Sequence, residues 1–92
     1  MTDSDSDLDK KFNKYISKVK KLESLINDDK LFLYGNYKQA LFGDNNIEKP
    51  SIFNRVEMEK WKAWDGNKGI TKEQAKERYI RKVKDLYKSE ET

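Results

Sequence analysis

Residues 31–41 read LFLYGNYKQAL, a run whose apolar side chains cover more than one face of a helix. Asp28 and Asp29 precede it and favour a helix N-terminus, so the segment predicts a helix over residues 28–41. A helix that is apolar on two sides needs two partners to cover it. We expect one partner to be the rest of the protein and the other to be a ligand.

The segment before this run predicts a helix over residues 7–24. Its apolar side chains recur every three or four positions, which is the stripe of an amphipathic helix. They are Leu8, Phe12, Tyr15, Ile16, Val19, Leu22 and Ile26. Residues 43–46 and Pro50, on the other side of the run, predict a loop.

Two further helices follow that loop. Asn54 and Glu57 have the spacing of a capping box, which predicts a third helix that ends near residues 66–69. Thr71 and Gln74 repeat the signal for a fourth helix. Trp61 and Trp64 in the third helix are expected to be core anchors.

This pattern predicts a single all-α domain, a four-helix bundle over residues 8–89. Residues 1–7 are acidic and low in complexity, which predicts a disordered tail, and residues 90–92 form a short C-terminal tail. No apolar run approaches the roughly 20 residues that span a bilayer. The first ten residues are acidic where a signal peptide would be basic and then apolar, so we expect a cytoplasmic protein.

The composition limits the chemistry. Hydrophobic residues make up 35% of the 92 residues and charged residues 40%, which favours a thin core under wide solvated faces. The chain contains neither cysteine nor histidine, so thiolate nucleophiles, disulfides and histidine bases or ligands are excluded. Its adjacent acidic pairs fall in caps, exposed faces or tails. We therefore expect no catalytic residue, no metal and no cofactor.

The formal charge of +3 is unevenly distributed. Four aspartates precede the first lysine and two glutamates follow the last one. Residues 10–89 carry 20 basic against 11 acidic residues, a charge of +9. Such a body attracts nucleic acid, anionic lipid or a phosphorylated small molecule, and charge alone does not choose among them.

Tyr34, Tyr37 and Lys38 lie on one face of the predicted second helix. Tyrosines can stack on a nucleobase, and a lysine among them can donate to a phosphate, so the cluster fits a nucleotide platform. The alternative is that both tyrosines fill the core with their hydroxyls at its rim. Lys60, beside Trp61, could supply a second cation.

Three motifs together resemble the acyl-CoA-binding protein family. They are YGNYKQA at residues 34–40, KWKAW at residues 60–64 and YIRKV at residues 79–83. The resemblance covers residues 12–88. It implies a four-helix bundle of up-down-down-up topology that binds one acyl-CoA and performs no chemistry.

The resemblance also implies the roles of individual residues. The CoA head group would be held by Lys20, Tyr34, Tyr37, Lys38, Lys60 and Tyr79, and the acyl chain would lie against Phe12, Ile16, Val19 and Leu31. The protein would be a monomer that contacts acyl-CoA-using enzymes or membrane surfaces transiently, with no nucleic acid as a partner. A basic module that binds nucleic acid or anionic membrane is the alternative, and an enzyme is the third.

Three departures from the family pattern concern the acyl groove. Tyr15 and Ile16 stand where small alanines are common, and Lys30 replaces a usually apolar side chain. The turn between the first two helices is one residue short. We therefore expect the acyl-length preference to be shifted toward medium chains. Residues 51–59 also match the family weakly.

Overall fold

The structure, a computed structural model, describes residues 3–22 and 25–91. Within these ranges the chain forms four helices and no strand. They are α1 (Asp3–Val19), α2 (Asn27–Phe42), α3 (Arg55–Asp65) and α4 (Lys72–Glu91). The predicted all-α four-helix fold is confirmed.

The first helix is shifted toward the N-terminus relative to its prediction. α1 begins at Asp3 and ends at Val19, whereas the periodicity predicts residues 7–24. The backbone of residues 3–6, predicted as tail, is helical, and its acidic composition is favourable at the positive end of a helix. Residues 1 and 2 of the predicted tail, residues 23 and 24 of the predicted helix and residue 92 lie outside the described residues.

One of the two predicted capping boxes forms. The Thr71 N–H donates to Gln74 Oε1 and the Gln74 N–H donates to Thr71 Oγ1, each at 3.0 Å. Asn54 is the N-cap of α3, as its position predicts, but its side chain makes no capping hydrogen bond. The predicted capping box with Glu57 is therefore wrong. Asn54 uses its backbone instead, because its N–H donates to Ser51 O and its carbonyl accepts from Met58 N–H.

The contacts between helices fix their directions. Asp9 pairs with Lys76 near the starts of α1 and α4, and the Tyr87 hydroxyl donates to the Lys18 carbonyl near their ends at 2.7 Å. α1 and α4 are therefore parallel.

α2 runs against α4. Asp29, at the start of α2, pairs with Lys82 in the middle of α4 at 2.8 Å, and Gln39, near the end of α2, donates to the carbonyl of Ile70 just before α4. α3 runs with α2, because the Trp64 indole near the end of α3 donates to the Gly43 carbonyl at the end of α2. The topology is up-down-down-up.

The helices lie in the order α1, α4, α2, α3. α1 packs on α4, α4 on α2, and α2 on α3. The molecule is a slab with principal extents of 41 × 38 × 17 Å. The main core forms where α1, α2 and α4 meet, and its buried members are Phe12, Leu33, Ala40, Ala75, Tyr79, Ile80 and Val83.

A set of hydrogen bonds at the end of α2 connects the loop that follows α2 to the loop that precedes α4. Gln39 is completely buried, and its Nε2 donates to Asp44 Oδ1 and to the Ile70 carbonyl, each at 2.8 Å. Asp44 Oδ1 also accepts from the Gly69 N–H at 2.9 Å. This backbone hydrogen bond, followed by the one from Gln39, lowers the pKa of Asp44.

The two tryptophans secure the loop that leads to α3. Trp64 is buried, as predicted, whereas Trp61 is half-buried and donates to the Ile47 carbonyl at 2.7 Å. The loop is therefore held against α3 at Trp61, where Asn45 also donates to the Trp61 carbonyl at 3.4 Å.

Candidate ligand site

A tyrosine flanked by two lysines forms the polar part of the candidate site. The ring centroid of Tyr34 on α2 lies 6.0 Å from Lys38 Nζ and 5.5 Å from Lys60 Nζ on α3. All three side chains are half-buried. The structure thus brings together two cations that are 22 positions apart in the sequence.

Each of the two ammonium groups has weak additional partners. Lys38 Nζ lies over the rings of Phe42 and Trp64, at 4.6 and 5.1 Å from their centroids. Lys60 Nζ lies 3.9 Å from a carboxylate oxygen of Glu57 in an exposed pair. Each cation–π contact contributes about 0.5–2 kcal/mol depending on burial, and the exposed ion pair about 1 kcal/mol or less, so an anion that accepts charged hydrogen bonds can recruit both lysines.

Gly35 is the reason that α3 comes close enough to supply Lys60. A Cβ atom added to this buried glycine would overlap the backbone carbonyl of Ala63. Only the absence of a side chain here permits the approach of the two helices. The neighbouring Tyr34 is thereby brought beside Lys60.

An apolar groove of about 230 Å³ adjoins this cluster. It lies between the end of α1, the segment before α2, α2 itself and α4. Its lining residues are Val19, Leu25, Lys30, Leu33, Tyr34, Tyr37 and Tyr79. Tyr34 therefore belongs both to the cationic cluster and to the groove.

Three aromatic rings form the floor beneath the groove. Phe12 and Tyr79 meet edge to face with centroids 5.2 Å apart, and Tyr37 lies 6.3 and 6.5 Å from them. Phe12 and Tyr79 are buried, whereas Tyr37 is half-buried. Burial, and then the nearby Tyr37 phenol, raise the pKa of Tyr79 to about 12, so its phenol is neutral at physiological pH.

The head-group residues implied by the family resemblance occupy three environments. Tyr34, Lys38 and Lys60 form the cationic cluster, and Tyr37 and Tyr79 line the groove. Lys20 is exposed in the turn that follows α1.

The four predicted acyl-groove residues are also divided. Val19 lines the groove, whereas Phe12 is only 2% exposed and lies in the floor. Ile16 is half-buried against the main core, and Leu31 is half-buried on α2. Phe12 and Ile16 therefore support the groove through the core.

The site-residue prediction omits three residues that line the groove, namely Leu25, Lys30 and Leu33. Leu33 precedes Tyr37 by four positions, so helical spacing alone places them on one face. Leu25 lies between α1 and α2, where periodicity does not apply. The resemblance marks Lys30 as a departure from the family pattern but gives it no place in the site.

Neither a metal site nor a membrane-spanning helix occurs among the described residues. No group of three or more acidic, cysteine or histidine side chains there could hold a metal ion. Among the helices that the structure describes, none is long and apolar enough to cross a bilayer.

Comparison with known proteins identifies relatives along nearly the whole chain. The family model described as "Acyl CoA binding protein" matches residues 9–83. The acyl-CoA-binding domain-containing protein 3 of Oryza sativa is 50% identical over 80 residues, which is 86% of this chain and 52% of the relative. The acyl-CoA-binding protein of Gossypium hirsutum is 45% identical over 83 residues, 89% of this chain and 93% of the relative. The chain thus spans about half the length of the rice relative and nearly all of the other.

Solved structures agree with these matches. The crystal structure of Oryza sativa acyl-CoA-binding protein 2 aligns with a TM-score of 0.96 at 38% identity. The alignment covers 99% of this chain and 100% of that one.

Proposed function

The chain belongs to the acyl-CoA-binding protein family, and we propose on this basis that it is a monomeric, cytoplasmic carrier that binds one medium- to long-chain acyl-CoA without changing it chemically. The observation that carries the proposal is the meeting of Lys38 and Lys60 on Tyr34, at the edge of an apolar groove. Such a carrier would buffer and protect the thioester and deliver it to enzymes.

The cationic cluster fits the ribose phosphate of CoA. Hydrogen bonds that involve charged groups contribute about 1.5–3 kcal/mol each, more than the ring contacts that Lys38 and Lys60 make without a ligand. A dianionic phosphate would therefore draw both ammonium groups to itself, with the Tyr34 hydroxyl as a neutral donor. Lys20, exposed beyond α1, would add a further cation to the head group.

The tyrosines fit the remaining parts of the head group. Tyr37 is half-buried and would stack on adenine, which is worth about 1–3 kcal/mol for an aromatic under a base. Tyr79 lies at the bottom of the groove, where its neutral phenol would donate a hydrogen bond without adding charge. The head group would thus provide specificity.

The groove fits the first part of an acyl chain. Its volume of about 230 Å³ is smaller than the roughly 300–1,000 Å³ of most ligand pockets, and Lys30 is among its lining residues. Each buried methylene contributes about 0.8 kcal/mol, so affinity would rise with chain length until the groove is full. These features support a preference shifted toward medium chains.

Isothermal titration calorimetry with palmitoyl-CoA, octanoyl-CoA, free CoA and free palmitate tests the proposal. We expect one-to-one binding of both acyl-CoAs, and much weaker binding of CoA and palmitate, because only the thioester occupies both parts of the site. Lys38→Ala and Lys60→Ala should each weaken acyl-CoA binding by about tenfold or more, as expected for the loss of one charged hydrogen bond. Lys72→Ala, an exposed lysine at the start of α4, is the matched control and should bind as wild type.

Absence of acyl-CoA binding by the wild type would refute the carrier function. Binding that is independent of the acyl chain but falls steeply with salt would instead indicate the nucleic-acid or polyanion module, because counterion release does not depend on a fatty tail. Release of free CoA during the titration would show an enzyme. Analytical ultracentrifugation of the same samples tests the monomer.

A further inference from the structure

Lys30 supplies the only charged side chain that the structure describes in the lining of the apolar groove. The other lining residues are aliphatic or tyrosines. Lys30 is itself exposed, so its methylenes line the groove while its ammonium group stays within reach of water. A cation therefore lies at the edge of the space that would hold the acyl chain.

The ammonium group of Lys30 has no partner within the described part of the chain. None of the ion pairs and ring contacts found there involves it, whereas Lys38 and Lys60 each make such contacts. Asp29, the adjacent acid, is already paired with Lys82. The side chains three and four positions before and after Lys30 are all uncharged. Its charge is thus available to a ligand.

Lys30 and the cationic cluster lie at different levels of α2. Lys30 precedes Tyr34 by one helical turn and Lys38 by about two turns, which is a rise of about 12 Å at roughly 1.5 Å per residue. The groove extends between these levels, since Tyr37 also lines it. A ligand whose phosphate is held by the cationic cluster would therefore meet Lys30 with a part remote from that phosphate.

An unpaired ammonium group disfavours a purely hydrocarbon chain and favours a chain that carries negative charge. Apolar atoms that cover the ammonium displace its water without replacing the hydrogen bonds. A carboxylate in the same place accepts a charge-assisted hydrogen bond, which is among the stronger hydrogen bonds in proteins. An aliphatic carboxyl group is ionised at physiological pH and so supplies this acceptor.

We propose that Lys30 recognises a carboxylate at the end of the acyl chain, so that the ligands of this protein include CoA thioesters of dicarboxylic acids. The inference rests on the proposed carrier function and specifies its ligand class. The cationic cluster would hold the phosphate at one end of the ligand, and Lys30 would hold the carboxylate at the other. The methylenes between the two charged ends would lie against the apolar lining.

A phosphate of the CoA head group is the competing partner for Lys30. The lining next to Lys30 is apolar, which suits methylenes better than a diphosphate. The two assignments also predict different results. A contact with the head group would strengthen the binding of every acyl-CoA equally, whereas a contact with the chain end would strengthen only the binding of carboxylated chains.

Calorimetry with acyl-CoAs of equal chain length tests the proposal. The first set is octanoyl-CoA, octanedioyl-CoA and the methyl ester of octanedioyl-CoA, which keeps the chain but removes the charge. The second set is the same series built on the palmitoyl chain. We expect wild type to bind at least one of the two carboxylated ligands about tenfold or more tightly than its methyl ester, and Lys30→Leu to lose this preference.

Two variants control for charge and for surface effects. Lys30→Arg keeps the charge and should keep the preference for the carboxylated ligand. Lys21→Leu removes an exposed lysine in the turn after α1 and should bind all ligands as wild type does. Circular dichroism of each variant verifies that the helices are retained.

Equal affinity of wild type for carboxylate and methyl ester in both sets would overturn the proposal. A preference that survives in Lys30→Leu would also overturn it, because another cation would then bind the carboxylate. An equal loss of affinity for all ligands in Lys30→Leu would overturn it in favour of a head-group contact. Failure of wild type to bind octanoyl-CoA and palmitoyl-CoA would instead refute the carrier function.

Discussion

Lys30 places a charged side chain in the lining of a groove that is otherwise apolar or tyrosine-lined. We expect Lys30→Leu to raise the affinity for palmitoyl-CoA relative to octanoyl-CoA by about tenfold, since two additional buried methylenes contribute about 1.6 kcal/mol. Competition calorimetry with the two ligands measures the ratio. Lys30→Arg, which keeps the charge, should leave the ratio unchanged. An equal ratio in all three proteins would show that Lys30 does not limit chain length.

Tyr79 is expected to make stability depend on pH at alkaline values. Burial raises the pKa of Tyr79 from its ordinary 10.0 to about 12, so the folded state favours the neutral phenol. Its contribution is full below about pH 10 and is lost as the pH rises through about 12. The free energy of unfolding by guanidinium, measured from about pH 9 to about pH 12, should therefore fall more steeply for wild type than for Tyr79→Phe. Parallel curves for the two proteins would contradict this prediction.

At the residue scale, the sequence predicts the chemistry of the head-group cluster better than the groove. Tyr34 and Lys38 share a helical face, and the close packing of α3 on α2 at Gly35 brings Lys60 near them. Phe12 belongs to the same apolar stripe as Val19, yet one is buried in the floor and the other lines the groove. Periodicity gives the face of a helix but not the depth at which a side chain lies.

The contact between α2 and α3 depends on a residue without a side chain. In Gly35→Ala the new Cβ would collide with the Ala63 carbonyl, so the two helices must separate. We expect a loss of about 1–3 kcal/mol in the free energy of unfolding, typical of overpacking, together with weaker acyl-CoA binding because Lys60 moves away from Tyr34. Urea denaturation and calorimetry test the two effects. Gly66→Ala is the control, because the backbone there is helical at φ −64° and the nearest atom to the new Cβ, the Lys62 carbonyl oxygen, lies 3.2 Å away, so it should cost clearly less stability than Gly35→Ala.

Helix boundaries could be predicted where local chemistry alone sets them. The Thr71 and Gln74 capping box forms because both partners lie within one turn. Asn54 and Glu57 have the same spacing, but the Asn54 N–H, which the Glu57 side chain would bind in a capping box, donates to the Ser51 carbonyl instead. The composition predicts too late a start for α1, because acidic residues are typical of disordered tails, although acids are also favourable at a helix N-terminus.

The order in which the helices pack predicts which of them unfold locally and which unfold only with the whole molecule. α2 and α4 each pack between two neighbours, whereas α1 packs on α4 and α3 on α2. Amide hydrogen exchange followed by NMR should therefore show the slowest exchange in α2 and α4, at rates set by global unfolding, and faster exchange in α1 and α3. Uniform protection of all four helices would show that the slab unfolds as one unit. Saturation with palmitoyl-CoA should slow exchange most around residues 25–37.

The thickness of the slab has a further consequence. Measured on the backbone its shortest extent is 17 Å, which leaves room for no more than two layers of helices, because packed helix axes lie about 8–10 Å apart. Little of the chain can then be far from water, which accounts for a sequence with more charged than hydrophobic residues. A bound acyl chain would add apolar atoms to the core that the polypeptide does not supply. The empty and the loaded protein would have the same sequence and two different cores, so the melting temperature would rise with free ligand concentration and report how much acyl-CoA is available.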